Sequence, residues 1–485
     1  MPVVLDTPAK GRRPRAPDRG IVSEVPTPRH GSRELARGAL VVASAAVLIL
    51  LVSRHVHWMN GMLWVREWRS LPLLDALPLI LAGALPLAFA CARWCARGAA
   101  GRLELALAAS TAGLLTLAGC YFYDGTFGPE RLPLAIEHQY VTSYFQDALR
   151  LADHPGFLAE YPRLMDTLHL HSENKPPGPV LFFLAFLELF GAENAALVCG
   201  LALAALAALV VVSVHWMAST LHGSRDAAFG AAALMALCPG LVLTLPSMDA
   251  VMPHFTCLLV GTWAIALRRD SPAAALLYGL VLALAAMFTP LLLVTGAFLA
   301  AFTAHHVLRD ADRRGALSRA ARQVAIALST LVALYALLYA ATGYDVIAVY
   351  REVLGSKHDW DPELTRQELL GRPYGKALIS DPWEFLLGTG WIIGLVAAFR
   401  AFDACRERSG TWAIEMFGLA NIVLLPLCSF VRGESARLWM FLVPFLVLPA
   451  GVELARSTPR RRLLALGSLL AVLATIFVNM RFVER

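Results

Sequence analysis

Charge is what this chain has least of: Asp, Glu, Lys and Arg make up 16% of its 485 residues, against 58% hydrophobic. Such a composition excludes an ordinary water-soluble surface, and apolar runs recur almost from end to end. A bilayer core of about 30 Å needs about 20 apolar helical residues to cross it, so the pattern predicts an all-α polytopic membrane protein. Alternating segments of about 10 residues, which would signal a β-barrel, are missing. Lysine is scarcest, four against 38 arginines. The eight cysteines lie within or at the ends of apolar runs and none in the long polar loops, which argues against a disulfide framework or a zinc site. No strand-borne Walker or dinucleotide motif is present, and no small-residue cleavage site follows the first apolar run, which is expected to stay as an anchor.

What charge there is has a pattern. Residues 1–36 carry Lys10, Arg12, Arg13, Arg15, Arg19, Arg29 and Arg33 among prolines and glycines, as expected of a disordered basic cytoplasmic tail. The net charge of +6 sits in this tail and in short interhelical loops, where membrane orientation explains it without a nucleic-acid partner. Apolar segments fall near 38–53, 71–93, 103–123, 179–190, 195–216, 227–246, 250–267, 272–288, 290–307, 322–341, 383–399, 411–430, 437–454 and 462–480. They divide the chain into a core over 37–341 with a large loop at 124–177, a second long loop at 342–382, and C-terminal transmembrane helices over 383–485.

The run 179–190 is decisive for topology. Twelve residues reach only about 18 Å, well short of the core thickness. If it does not span, Arg225, Arg268, Arg269, Arg309, Arg313, Arg314, Arg319, Arg322, Arg400, Arg406, Arg408, Arg456, Arg460, Arg461 and Arg462 all fall inside. Those are 15 basic residues, against nine on the outer side downstream, as the positive-inside rule requires. The expectation is therefore about 13 transmembrane helices plus one short half-helix in an inner cell membrane, with the N-terminus cytoplasmic and the C-terminus outside. The inner loops are short and expected to be chemically dull. The outer face then gathers 124–177, "PSMDAVMP" at 246–253, 342–382 and "FVRGESARLW" at 430–439.

Chemistry is expected in those outer segments. "EHQYVTSYFQDALRLADH" places Val141, Tyr144, Phe145, Ala148, Leu149 and Ala152 at helical spacing, with Gln139, Ser143, Gln146, Asp147 and Arg150 opposite. That is an amphipathic helix, lying on the membrane surface or packing against the bundle, with Glu137 and His138 at its positive N-terminal end. In "HSENKPPG", Pro176 and Pro177 keep the chain extended, so a helix can begin only at Gly178 or Pro179. Lys175 then sits at that helix mouth, as an anion contact or as a snorkelling interfacial lysine. His169, His171 and Glu173 alternate as on a strand and would suit a divalent cation, the one cofactor considered. Arg432, Glu434 and Arg437 would hold a phosphate or form a local salt bridge, and Asp249 is a helix N-cap or a site carboxylate.

In this order the features resemble the GT-C superfamily, membrane glycosyltransferases that use polyprenyl-phosphate sugars, such as protein O-mannosyltransferases and the lipid A aminoarabinose transferase. The likeness covers roughly residues 120–300 and rests on the loop, "KPPG" at 175–178 and Asp249. The family's loop motif is Asp-Glu, two variable residues, then Tyr; here Glu137 and Tyr140 match while Ile136 replaces the aspartate that usually serves as base. The resemblance implies a catalytic carboxylate on Glu137 or Asp124, and substrate contacts from His138, Tyr140, His171, Lys175, Asp249, Arg432, Glu434 and Arg437. It implies as partners a polyprenyl-phosphate-linked sugar donor, a glycan, lipid or protein acceptor, and membrane lipids. A transporter or flippase is the competing class, and an O-antigen polymerase or ligase a third; a transporter would keep carboxylates inside the membrane, where Glu188 and Glu415 are the clearest. A reporter fused after Arg314 is predicted to score cytoplasmic, and an extracytoplasmic score would overturn the topology.

Overall fold

The computed structural model describes residues 31–53, 73–121, 131–244, 247–355, 374–407, 412–428 and 435–479. Helices dominate and no strand occurs among these residues. Seven helices are long and apolar enough to cross a membrane, eight if one bent pair counts as a single span: Gly31–Ser53, Ala76–Arg97, Gly178–His222, Met248–Arg269, Pro290–Arg309, Arg313–Thr342 and Pro459–Asn479. The helix Arg313–Thr342 shows why water is the wrong solvent, since Leu317, Leu328, Val332 and Leu337 all lie exposed along it. Leaving such side chains in water forgoes about 1.5–3 kcal/mol each, whereas lipid tails accept them freely. The chain is a multi-pass membrane protein by this composition and helix length.

Several predicted segments are interrupted. The run 227–246 is not one helix: Arg225–Ala236 ends before Cys238, and Pro239 starts a separate short turn, Pro239–Leu243. Proline lacks the N–H that would continue the ladder and disfavours helical geometry in the residue before it, which explains the break. The run 383–399 is likewise two helices, Ala377–Gly388 and Ile392–Glu407, bent by 105°. Gly390 and Trp391 both take positive φ at that corner, 78° and 57°, a backbone that no helix contains. Residues 178–190 form a helix that ends at Gly191 (φ 72°, ψ 160°), but helix resumes at once and runs to His222, and the whole stretch is one candidate span. What had read as two segments is thus one broken helix.

Helix beginnings and ends meet in a charged layer at one end of the bundle. Arg37, on the first helix, donates to Asp403 at 2.6 Å and to Glu453 at 2.9 Å, and Arg461 donates to Glu453 at 2.7 Å and Glu34 at 2.8 Å. Both guanidiniums lie over the Phe399 ring, 5.1 and 5.4 Å from its centroid. Arg400 grips the fully buried Glu415 at 2.6 and 3.1 Å, while Arg456 pairs with Glu407 at 2.7 Å. Arg462 donates to the carbonyls of Leu454, Ala455 and Ser457, closing the C-terminus of Val443–Arg456, and stacks 4.1 Å from the Trp94 ring. On neighbouring helices, Asp226 accepts from the Trp94 indole and the Ala100 amide, and Arg93 pairs with Glu104 at 2.7 Å.

Of these arginines, Arg400, Arg456, Arg461 and Arg462 were expected only to orient the protein, in loops of no chemical interest. They also tie the helices Gly31–Ser53, Ile392–Glu407, Trp412–Cys428, Val443–Arg456 and Pro459–Asn479 to one another. Glu188 is exposed, whereas Glu415 is buried against Arg400. Removing one partner of a buried pair leaves the other charge uncompensated, at a cost of about 3–5 kcal/mol. Glu453→Ala is therefore predicted to lower the thermal unfolding temperature in detergent by several degrees, whereas Glu188→Ala leaves it unchanged; an equal effect would contradict the clasp.

Candidate functional site

The opposite end of the fold is built around the stretch before Gly178. The chain from Leu170 to Glu173 makes one helical turn, and His169 is the extended residue ahead of it. His169, His171 and Glu173 therefore do not share one side as they would on a strand. Among the described residues no group of three or more His, Cys, Asp or Glu is arranged to hold a metal ion. After the turn the chain bends through Asn174 and Lys175, and the helix starts at Gly178. Pro177 precedes that first residue at φ −71°, where its missing N–H costs nothing. The glycine is required by packing: a Cβ there would lie 2.5 Å from the Met287 carbonyl oxygen. Tyr161 fixes the bend from below, donating its hydroxyl to the Lys175 carbonyl at 3.2 Å.

Lys175 meets two groups from distant segments. Its Nζ is 3.6 Å from Asp249 Oδ1, and Arg437 Nε lies 3.4 Å from Asp249 Oδ2. Asp249 belongs to the 3₁₀ turn Met248–Val251 and does not cap it. Ser247 is the cap, accepting from the Asp249 amide at 3.1 Å and donating to its carboxylate at 3.0 Å. The carboxylate is left to face the two cations. Arg437 stands on the short helix Ser435–Leu438 and is 4% exposed. Its guanidinium donates to His171 Nε2 at 3.4 Å, which puts the imidazole proton on Nδ1, directed at Ser143 Oγ 3.0 Å away. The Lys175 ammonium also sits 5.4 Å from the centroid of the Tyr144 ring, which packs edge-on against His171.

The electrostatics follow from this crowding. Burial works against the Lys175 ammonium, but Asp249 and then Tyr144 outweigh it, so its pKa lies above the ordinary lysine value. His171 is pushed down to about 3 by burial, then by the charges of Arg437 and Lys175. It is a neutral hydrogen-bonding group at physiological pH. The two contacts to Asp249, 3.4 and 3.6 Å, are longer than those of Arg37 with Asp403 and Glu453 and of Arg400 with Glu415 at the other end, 2.6–2.9 Å.

Four predicted residues, His171, Lys175, Asp249 and Arg437, are thus brought together from three separated segments. Asp124, Arg432 and Glu434 lie outside the described residues, and so does the side chain of Tyr140. Glu137 ends the helix Arg131–Glu137 with its side chain exposed, and its carbonyl accepts from Gln146 Nε2 at 2.6 Å. His138 follows it, half-buried, as the single residue between two helices.

The helix Gln139–Leu151 packs against the bundle through Tyr144 and Phe145, whose rings meet Phe183 at centroid distances of 6.5 and 5.9 Å. Its expected faces are partly exchanged. Leu149 and Ala152 are exposed, while Ser143 and Asp147 are buried because each serves a histidine of the next segment. Ser143, Tyr144 and Asp147 are the site residues that sequence reasoning missed. The available signal was the i, i+4 spacing of Ser143 and Asp147 on a helix facing two histidines. Comparison with protein-family models and with characterised proteins finds no match to this chain.

The acid limb of stability tests the neutral imidazole. A histidine whose folded pKa lies below its unfolded value contributes stability that is fully present above about pH 6.5 and is lost as pH falls toward 3. His171→Gln is predicted to flatten the dependence of unfolding temperature on pH between 6.5 and 4. An unchanged acid limb would mean that His171 is not held neutral.

Proposed function

We propose that this protein is an integral membrane glycosyltransferase of GT-C type, transferring a sugar from a polyprenyl-phosphate donor to an acceptor on the outer face of the inner cell membrane. The observation that carries the reading is the convergence of Lys175 and Arg437 on Asp249 beside neutral His171, at the mouth of the helix that opens with Gly178. Lys175 and Arg437 converge on one carboxylate at distances longer than a direct charged hydrogen bond, and a phosphate offers both of them better hydrogen bonds. Arginine suits bidentate contact with such a group and lysine supplies a point charge. Apolar helix faces next to the cluster suit a polyprenyl tail, and no nucleotide domain is needed.

In this mechanism an acceptor hydroxyl attacks the anomeric carbon, with inversion, as a base takes its proton. The sugar–phosphate bond breaks, and Lys175 and Arg437 stabilise the charge that develops on the leaving phosphate. The resemblance puts the base on Glu137 or Asp124.

The thirteen-crossing topology belongs to this proposal. The ends at Arg97, His222, Arg268, Glu407 and Arg456 and the starts at Arg37, Arg102, Arg225, Trp412 and Pro459 are linked through the charged layer or through contacts such as Arg268 with the Thr220 and Leu221 carbonyls. Gathering those ends on one side supports alternating crossings, with broken spans at 225–243 and 377–407, the charged layer inside and the Lys175 cluster outside. A transporter would sooner hold ionisable groups at the membrane midplane than in a tight layer at one end.

Purified protein given radiolabelled polyprenyl-phosphate sugars and a membrane extract is predicted to transfer label, and Lys175→Ala to reduce transfer by about 10²–10³-fold. Equal transfer by Lys175→Ala would remove the site assignment, and neither binding nor transfer with any donor would favour the transporter.

A further inference from the structure

The Glu137 carboxylate is exposed at a helix end and has no described contact with the Lys175 cluster, which leaves the base of the reaction to another group. Two residues from His171, His169 forms a pair of its own. Its Nδ1 is 2.8 Å from Asp147 Oδ1, and its backbone amide donates to both oxygens of the same carboxylate, at 3.3 and 3.2 Å. Asp147 is fully buried, while the His169 ring is 41% exposed. The carboxylate is therefore reached by the histidine from one side, and the far edge of the ring opens outward. A carboxylate only accepts, so the proton of the neutral ring lies on Nδ1 and Nε2 carries a lone pair. Two backbone bonds, from the amides of Ser172 and Glu173 to the His169 carbonyl at 2.8 and 3.0 Å, hold the residue at the head of the turn that delivers His171. His169 is near enough for its charge to weigh on His171, which itself touches Arg437.

We propose that His169 is the general base that accepts the acceptor's proton, with Asp147 as the positioning residue that fixes its tautomer and ring orientation. The proposal rests on the glycosyltransferase reading and deepens it. The acceptor O–H bond breaks and its proton passes to His169 Nε2, while the oxygen forms the new bond to the anomeric carbon. The bond from that carbon to the phosphate oxygen breaks, and its electron pair leaves on the polyprenyl phosphate between Lys175 and Arg437. The imidazolium is stabilised by Asp147 until its proton is returned to water. This supplies the base where Ile136 replaces the family's aspartate, and it places base and phosphate-holding groups on two sides of one turn, Leu170–Glu173. The purely structural alternative, Asp147 as an anchor for the loop, predicts a different response of His169→Ala to added imidazole.

The test uses the full-length protein in lipid nanodiscs and measures both binding of a polyprenyl-phosphate sugar and transfer of its label. His169→Ala is expected to bind donor within about threefold of wild type and to lose transfer by about 10²–10⁴-fold, the range for a general base. Millimolar imidazole is expected to restore part of that transfer, because it replaces the missing base, and to do nothing for Lys175→Ala. Asp147→Asn is expected to lose transfer with donor binding kept and to change the pH dependence of the transfer that remains, while imidazole leaves it unchanged because the His169 ring still fills the base position. Loss of transfer without imidazole rescue in His169→Ala, or full transfer by that variant, would overturn the proposal while leaving the reading intact. A wild type that neither binds nor transfers would overturn the reading, and the proposal with it.

Discussion

An ionised side chain inside an apolar bundle survives only if an opposite charge or a hydrogen-bonding neighbour meets it, and both ends of this fold are organised by that requirement. At one end it is met tightly. Arg37, Arg461 and Arg400 hold Asp403, Glu453 and Glu415 at 2.6–2.9 Å, and Phe399 fills the space between two of the guanidiniums. At the other end Lys175 and Arg437 both meet Asp249, at 3.6 and 3.4 Å. The first network fixes helix ends against each other; the second gathers two cations from distant segments on one carboxylate. The first reads as a device for rigidity and the second as a place for a ligand.

Much of the architecture was legible in the sequence because the bilayer leaves so few options. Apolar runs marked nearly every long helix, and the double proline with its glycine marked the start at Gly178 to within one residue. Breaks inside apolar runs were less legible. Pro239 in a run of leucines and alanines was a signal passed over, whereas the corner at Thr389–Trp391 depends on a non-glycine residue at φ 57°, which composition does not announce. The faces of the helix Gln139–Leu151 were misassigned for a related reason. Hydrophobic spacing assumes that polar residues point outward, and here Ser143 and Asp147 turn inward because two histidines await them.

The site was visible as residues but not as a constellation. Lys175, Asp249 and Arg437 each had a dull local explanation, as snorkelling lysine, helix cap or salt bridge, and only the fold shows that Ser247 takes the capping role and releases Asp249 to face the cations. Glu137, the carboxylate that the resemblance favours, is exposed at a helix end, while the buried Asp147 holds a histidine nearby. Acid–base chemistry in this proposed enzyme would then divide between a carboxylate that orients and an imidazole that reacts, and His171, kept neutral by its cationic neighbours, would be left to steady Arg437.

Convergence of Lys175 and Arg437 on one anion is the central claim, and a double-mutant cycle on binding of sugar-free polyprenyl phosphate addresses it without any turnover. Affinities would be measured for wild type, Lys175→Ala, Arg437→Ala and the double variant in lipid nanodiscs. If both cations hold the same phosphate, each single change weakens binding by tenfold or more, and the pair departs from additivity by about 0.5–3 kcal/mol. Unchanged affinity in all four proteins, or losses that add without coupling, would contradict a shared phosphate site.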